Sequence, residues 1–164
     1  MIKYAATATI DAPVDQIDLE HWIYNLSDED YQACAKGHQG AGAFTENGVR
    51  GTINVESVGG MLMIQHYLEV SADASQVDLL SKSSRAYVFH IFPVSVGVRW
   101  TMTATPLTAD TTTFTCTVET IIPAALRFTT PIVSYFLRKH VQEETQLFAD
   151  DITRKLGPHS STTH

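Results

Sequence analysis

Changes in the period of the apolar positions divide this chain. From Ile2 to Ile10 apolar and polar residues alternate, the two-residue period of a strand, and Asp11-Ala12-Pro13 ends the run. Val14, Ile17, Leu19, Trp22, Ile23, Leu26 and Tyr31 then recur mostly at helical intervals. Ser27-Asp28-Glu29-Asp30 interrupts them as a fresh N-cap with an acidic first turn, so two short helices are expected over 15–25 and 28–35. Lys36 to Gly42 reads as a glycine-rich loop carrying His38. Alternation returns over Arg50–Val58 and Met61–Val70, with Gly59-Gly60 between them as a hairpin turn. Ser71–Ser75 reads as a turn, and strands are expected at Val77–Lys82, Tyr87–Phe92, Val94–Ala104 and Thr111–Ile122. From Ala124 to Leu156 the period is helical, and Pro131 should kink that helix or divide it from a short preceding segment.

A helix this long needs a surface to pack on, and an antiparallel sheet with one apolar face needs a cover. The economical arrangement is a curved sheet of six or seven strands wrapped around the C-terminal helix, with a cavity between them. On that helix Val133, Leu137, Leu147 or Phe148, and Ile152 form the apolar stripe. His140 and Glu144 fall on the same stripe, one turn apart, so an imidazole and a carboxylate should be buried side by side. Burying such groups without partners costs on the order of 2–7 kcal/mol for a neutral polar group and more for a charge. A divalent metal would satisfy both, and so would hydrogen bonds to protein or water. Glu143 points about 100° away around the helix and is not expected to join them.

Length and charge narrow the functional classes. With 164 residues the chain suits one domain, expected over 1–157, with a disordered tail over 158–164. Eleven basic residues against 18 acidic ones, without a basic cluster, argue against nucleic-acid binding. Apolar runs are too short to span a bilayer and no signal-peptide core is visible, so no membrane insertion is expected. Cys34 and Cys116 stand alone, which suits reduced thiols in a cytoplasmic setting.

Three stretches carry a resemblance to a known family. Tyr31 to His38 resembles a segment in which a tyrosine precedes a metal-ligand histidine. Arg50-Gly51-Thr52-Ile53-Asn54-Val55-Glu56-Ser57-Val58-Gly59-Gly60 resembles a strand ending in a ligand glutamate before a glycine hairpin. Leu137-Arg138-Lys139-His140-Val141-Gln142-Glu143-Glu144 resembles a helical His-xxx-Glu. Together they are similar to the 2,4-diacetylphloroglucinol hydrolase and phloretin hydrolase family, within the START-like superfamily of ligand carriers and polyketide cyclases. The resemblance implies an α+β helix-grip fold and a zinc ion held by His38, Glu56, His140 and Glu144. It further implies hydrolysis of a carbon–carbon bond beside a carbonyl in an acylated phenol. Other divalent transition metals accept the same nitrogen and oxygen donors.

Zinc suits that reaction, since it polarises a carbonyl and brings the pKa of bound water to roughly 7. The carbanion leaving group needs a proton, for which Tyr31 is the candidate, with Glu144 as the second catalytic residue. Tyr87, His66 and His90 are further candidates, although His66, on the alternation of Leu62, Ile64 and Leu68, reads rather as a core histidine. Alternation alone leaves Glu56 either solvated or inward, because Thr52 and Asn54 share its face. Arg99-Trp100 could line the cavity or face outwards. Two other readings keep the cavity and change the chemistry: a polyketide cyclase-like enzyme, and a carrier of hydrophobic small molecules. The expected partner is a hydrophobic or phenolic small molecule, and a homodimer is compatible with the sequence.

Overall fold

The structure, a computed structural model, describes residues 1–122 and 124–157. Ile2–Ile10 forms β1, followed by a 3-10 turn at Val14–Gln16 and two short helices, α1 (Leu19–Tyr24) and α2 (Asp28–Ala33). Six strands follow: β2 (His38–Glu46), β3 (Val49–Val58), β4 (Met61–Ala72), β5 (Gln76–Val88), β6 (Phe92–Pro106) and β7 (Thr112–Ile121). A 3-10 segment over Ala124–Thr129 leads into α3, Thr130–Leu156. The N-cap expected at Ser27 is present, and Asp18 caps α1 as well. Asp18 accepts from the His21 amide at 2.8 Å, and Ser27 accepts from the Asp30 amide at 3.0 Å. Pro131 lies in the first turn of α3, where its missing N–H costs nothing, so it starts the helix and does not kink it.

All seven strands form one antiparallel sheet in the order β1-β7-β6-β5-β4-β3-β2. β1 pairs with β7 over their whole lengths and also packs against α3. The core lies between the sheet and α3. Leu79, Trp100, Met102, Phe114 and Cys116 come from the strands, and Leu137, Val141, Phe148 and Ile152 from the helix; all are buried. Trp22 of α1 joins this core edge-on to Phe148, with its indole N–H donating to Asp151 at 2.8 Å. This is the α+β helix-grip architecture, with seven strands.

Three expectations need correction, and one open reading is decided. Lys36–Gly42 is not all loop: His38 opens β2, opposite Glu56, with a bulge before Gly40. Tyr87–Phe92 is not a strand of its own, since β5 runs to Val88 and β6 starts at Phe92, with Phe89 and His90 turning at φ 52° and 60°. His66 is not a core residue; it faces outwards, against the Phe44 ring and 3.8 Å from Glu46. Of the two orientations that alternation left open for Glu56, the inward one holds: Thr52, Asn54 and Glu56 are buried, while Ile53 is 41% exposed. The tail expected over 158–164 lies outside the described residues.

Candidate metal centre and substrate cavity

The four residues singled out from the sequence converge. The ligand atoms of His38, Glu56, His140 and Glu144 all lie within 4.8 Å of one another, and His38, Glu56 and Glu144 are buried, His140 half-buried. His38 Nε2 is 3.7 Å from Glu56 Oε2 and 3.5 Å from Glu144 Oε1; His140 Nε2 is 2.9 Å from Glu56 Oε2. Donors 2.0–2.2 Å from one tetrahedral ion stand about 3.4 Å apart, so most of these separations suit a common cation.

Local structure explains the placement. After α2, the His38 amide donates to the Ala35 carbonyl at 3.1 Å, and the ring Nδ1 lies 2.7 Å from the Tyr31 carbonyl. A carbonyl only accepts, so Nδ1 carries a hydrogen, and Nε2 is the nitrogen turned inwards. That Nε2 is buried without a hydrogen-bond partner. The Tyr31 ring stacks on the imidazole at 3.8 Å, 2° from parallel. Gly37 makes the approach to β3 possible: its carbonyl accepts from the Ser57 amide at 2.7 Å, and a Cβ on it would stand 2.4 Å from the Ser57 carbonyl oxygen.

Glu56 is held from two sides. Gln65 donates to its Oε1 at 2.6 Å, and its other oxygen meets His140. Burial would raise its pKa, but His140 and His38 outweigh that and hold it below the usual carboxylate value. Burial would likewise lower His140, yet the Glu56 charge and hydrogen bond, with Glu144 beyond, push it up to about 9. Two buried carboxylates therefore share a closed space with His140 and with a His38 Nε2 that has no hydrogen-bond partner, an arrangement costly to leave without a counter-ion. A divalent cation with neutral histidines balances them. The residues present therefore fit a metal, with His38 Nε2 the atom that most needs one.

The site opens into a larger space. A chamber of about 20 Å³, room for one small ion or water, is walled by Asn54, Glu56, Gln65, Tyr67, Trp100 and His140, among others. Adjoining it through Glu56, Val118 and Leu137 is an apolar cavity of about 360 Å³. Its walls come from β3 to β7 and from the first turns of α3, including Met61, Met63, Val96, Val133 and Phe136. Among the described residues Glu56 is the only charged one on that wall, and it lies at the inner end.

Other sequence candidates fall differently. Tyr31 is wholly buried and lines a separate small void with Thr52 and Asn54. Asn54 lies beside its hydroxyl without the geometry of a hydrogen bond. Tyr87 is half-buried on β5, and His90 is exposed in the following turn. Trp100 lines the chamber, whereas Arg99 faces out and pairs with Asp78. Glu143 is outside the ligand group, as expected.

The sequence reading missed Tyr67 and Gln65. Tyr67 is buried in the chamber wall, and burial followed by the charges of Glu56 and Glu144 raises its phenol well above its ordinary value. A signal for both existed. The Gly59-Gly60 turn pairs Val58 with Met61, which sets Glu56 opposite Met63, Asn54 opposite Gln65 and Thr52 opposite Tyr67. Opposite residues share a face, so an inward Glu56 requires inward Gln65 and Tyr67.

A seven-stranded antiparallel sheet closed on a long C-terminal helix over an apolar cavity is the START-like, helix-grip fold. Solved structures with this fold include the Zhui aromatase/cyclase from Streptomyces sp. R1128, at 12% identity and TM-score 0.66, covering 97% of this chain and 98% of that one. A START superfamily protein from Mycobacterium smegmatis matches at 12% identity and TM-score 0.62, over 93% and 98% of the two chains. The di-domain aromatase/cyclase BexL of the BE-7585A biosynthetic pathway matches at 10% identity and TM-score 0.55, over 96% of this chain and 50% of its own. No family model and no curated protein sequence matches the chain.

Proposed function

We propose that this protein is a polyketide cyclase-like enzyme, in which His38, Glu56, His140 and Glu144 hold a divalent metal, zinc first among the candidates. The observation that carries the reading is the meeting of four ligand-type side chains at the inner end of an apolar cavity of about 360 Å³. Such a cavity takes a small molecule that is largely apolar and directs its one polar end inwards. A divalent ion at the four residues would polarise a substrate carbonyl. The walls exclude water and bring a carbon nucleophile of the same folded molecule next to that carbonyl. Tyr67, kept protonated by its surroundings, would deliver a proton to the carbonyl oxygen as an enol carbon of the same molecule forms the new carbon–carbon bond, and the enol O–H proton would return to the phenolate; Tyr31, beneath His38, is the alternative donor. The solved aromatase/cyclases of this fold support ring closure.

Hydrolytic cleavage of an acylated phenolic ketone is the second reading, favoured by the donor set and its likeness to the 2,4-diacetylphloroglucinol and phloretin hydrolases. One experiment separates the readings. Protein purified without added metal is analysed for bound elements, then given a linear poly-β-ketone and an acylated phloroglucinol in turn. The cyclase reading expects about one metal per chain and a new ring chromophore without acid release. Release of a carboxylic acid from the phloroglucinol would replace it with the hydrolase. Tight binding with neither metal nor product would leave a carrier and defeat both.

A further inference from the structure

The mouth of the cavity presents an apolar ring to solvent. Phe89, Ile91 and Phe92 stand at the turn between β5 and β6, and Phe128, Ile132 and Tyr135 on the 3-10 segment and first turns of α3. All six are exposed, Phe89 at 73% and Phe128 at 79%. Scattered exposed apolar residues are ordinary, but six around one opening are not. Phe89, Phe128 and Ile132 line the cavity itself, so the ring is continuous with its walls. The turn also holds Phe89 and His90 at positive φ, which costs on the order of 1–3 kcal/mol each where glycine or asparagine would sit more easily.

Charge is distributed to match. Segments 57–68, 79–109 and 120–142, which carry most of the residues lining the cavity and all six of the exposed apolar ones at its mouth, hold none of the 18 Asp and Glu and six of the 11 Lys and Arg, of which Arg99 is paired with Asp78. In an acidic protein this end is therefore basic. Lys82, Arg85, Arg138 and Lys139 are exposed, and among the described residues none of them forms a salt bridge. Along α3, Ile132, Tyr135 and Lys139 follow at helical spacing, with the apolar residues at the mouth and the cation about 10 Å behind along the axis. Interfacial helices have this order, with apolar side chains at the acyl boundary and cations among the headgroups.

We propose that the mouth docks on an anionic lipid surface and that the cavity exchanges its apolar ligand there. A second copy of the chain is a poor occupant: a two-fold contact through this ring would crowd the cations of both copies. An acidic protein could meet the charge but would have to plug an open cavity, whereas lipid is an apolar phase continuous with it. Among the described residues no helix is long and apolar enough to cross a membrane, so the contact is with the surface. The inference stands on the mouth alone and not on the chemistry assigned to the four ligands.

Vesicle flotation tests it, with the whole chain and two compositions: phosphatidylcholine alone, and phosphatidylcholine with about one-third phosphatidylglycerol. The wild type should float with the anionic vesicles at low salt, and much less with neutral vesicles or in 0.5 M NaCl, where screening is nearly complete. Ile91→Ser with Tyr135→Ser, neither of which lines the cavity, should weaken binding at least tenfold. Arg138→Gln and Lys139→Gln should weaken it about fivefold each. All variants should keep the wild-type melting temperature and metal content, because the altered side chains are exposed. Anionic-vesicle binding that both variant sets retain would overturn the proposal. So would a wild type that ignores both vesicles, whether it sediments as a dimer, which would assign the ring to a second copy, or as a monomer, which would leave an acidic protein.

Discussion

The Nδ1 of His38 and the carbonyl oxygen of Tyr31 are 2.7 Å apart, and this one contact decides which imidazole nitrogen is offered to the centre. It ties the last turn of α2 to the ligand set, so the metal should stabilise more than its own pocket. A ligand present at about 100 times its Kd adds about 2.7 kcal/mol, which for a chain of this size moves the melting temperature by about 5–10 °C. Calorimetry should show that loss when zinc is stripped by a chelator and its recovery when zinc returns. His38→Ala should show neither, and an unchanged wild type would mean that no metal sits here.

Glu143 and Glu144 adjoin in sequence and part in space. Glu144 is buried at the centre, and Glu143 is outside it. Glu144→Gln should lower metal content and abolish turnover of whichever ketone proves to be the substrate, while Glu143→Gln should keep both within about twofold. The reverse ranking would show that the helix presents another face to the ligand.

Tyr67 and Tyr31 can be separated as proton donors. Tyr67 is in the chamber wall, whereas Tyr31 lies behind His38. General acid catalysis is worth about 10²–10⁴ in rate, so Tyr67→Phe should cost at least a hundredfold in kcat with metal content intact. Tyr31→Phe should cost less than tenfold. A hundredfold loss on Tyr31→Phe alone would reverse the assignment.

Gly37 is expected to be intolerant for a steric reason. An alanine Cβ would press on the Ser57 carbonyl at 2.4 Å and force β2 away from β3 at the point where His38 faces Glu56. Gly37→Ala should lower metal affinity at least tenfold, read by competition with a chromophoric chelator. Gly42→Ala, with open space around the added methyl, is the control and should leave affinity unchanged.

Cys34 reports on the docking of α2. Burial, then the charges of Asp151 and Glu144, raise its thiol to about 12, and its Sγ is 3.7 Å from the Leu147 carbonyl. A raised folded value means that the stability it contributes is present below the ordinary pKa of about 9 and lost as pH rises towards 12. At pH 8 the thiolate should be about a thousandfold scarcer than in an unfolded chain. Alkylation there should be slow, and slower again with metal bound. Rapid labelling of metal-loaded protein at pH 8 would show that α2 is not held as described.

Much of this architecture is legible in the residues. β1, the Gly59-Gly60 hairpin and the span of α3 follow from period and turn chemistry, and His140 and Glu144 stand out because they interrupt an apolar stripe. The elements misread are those where local signals conflict with tertiary ones. Glycines at 37, 40 and 42 resemble loop punctuation, yet Gly37 is there for close backbone approach and Gly40 follows a bulge. The β5–β6 turn uses Phe89 and His90 where glycine or asparagine would have announced it. The inverted faces of β3 and β4, with polar groups inwards and Ile53 and Ile64 outwards, defeat alternation because a functional chamber replaces the core there.

The pairing of β1 has a consequence for how the chain is made. Residues 2–10 find their partners at 112–120 and in α3, so β1 must wait after leaving the ribosome for roughly a hundred more residues, about 5–20 s at ordinary elongation rates. β2 to β6 can meanwhile zip together as successive hairpins, each next to its predecessor. Through that interval an alternating, threonine-rich strand stands without a partner, open to chaperones and to strands of neighbouring nascent chains.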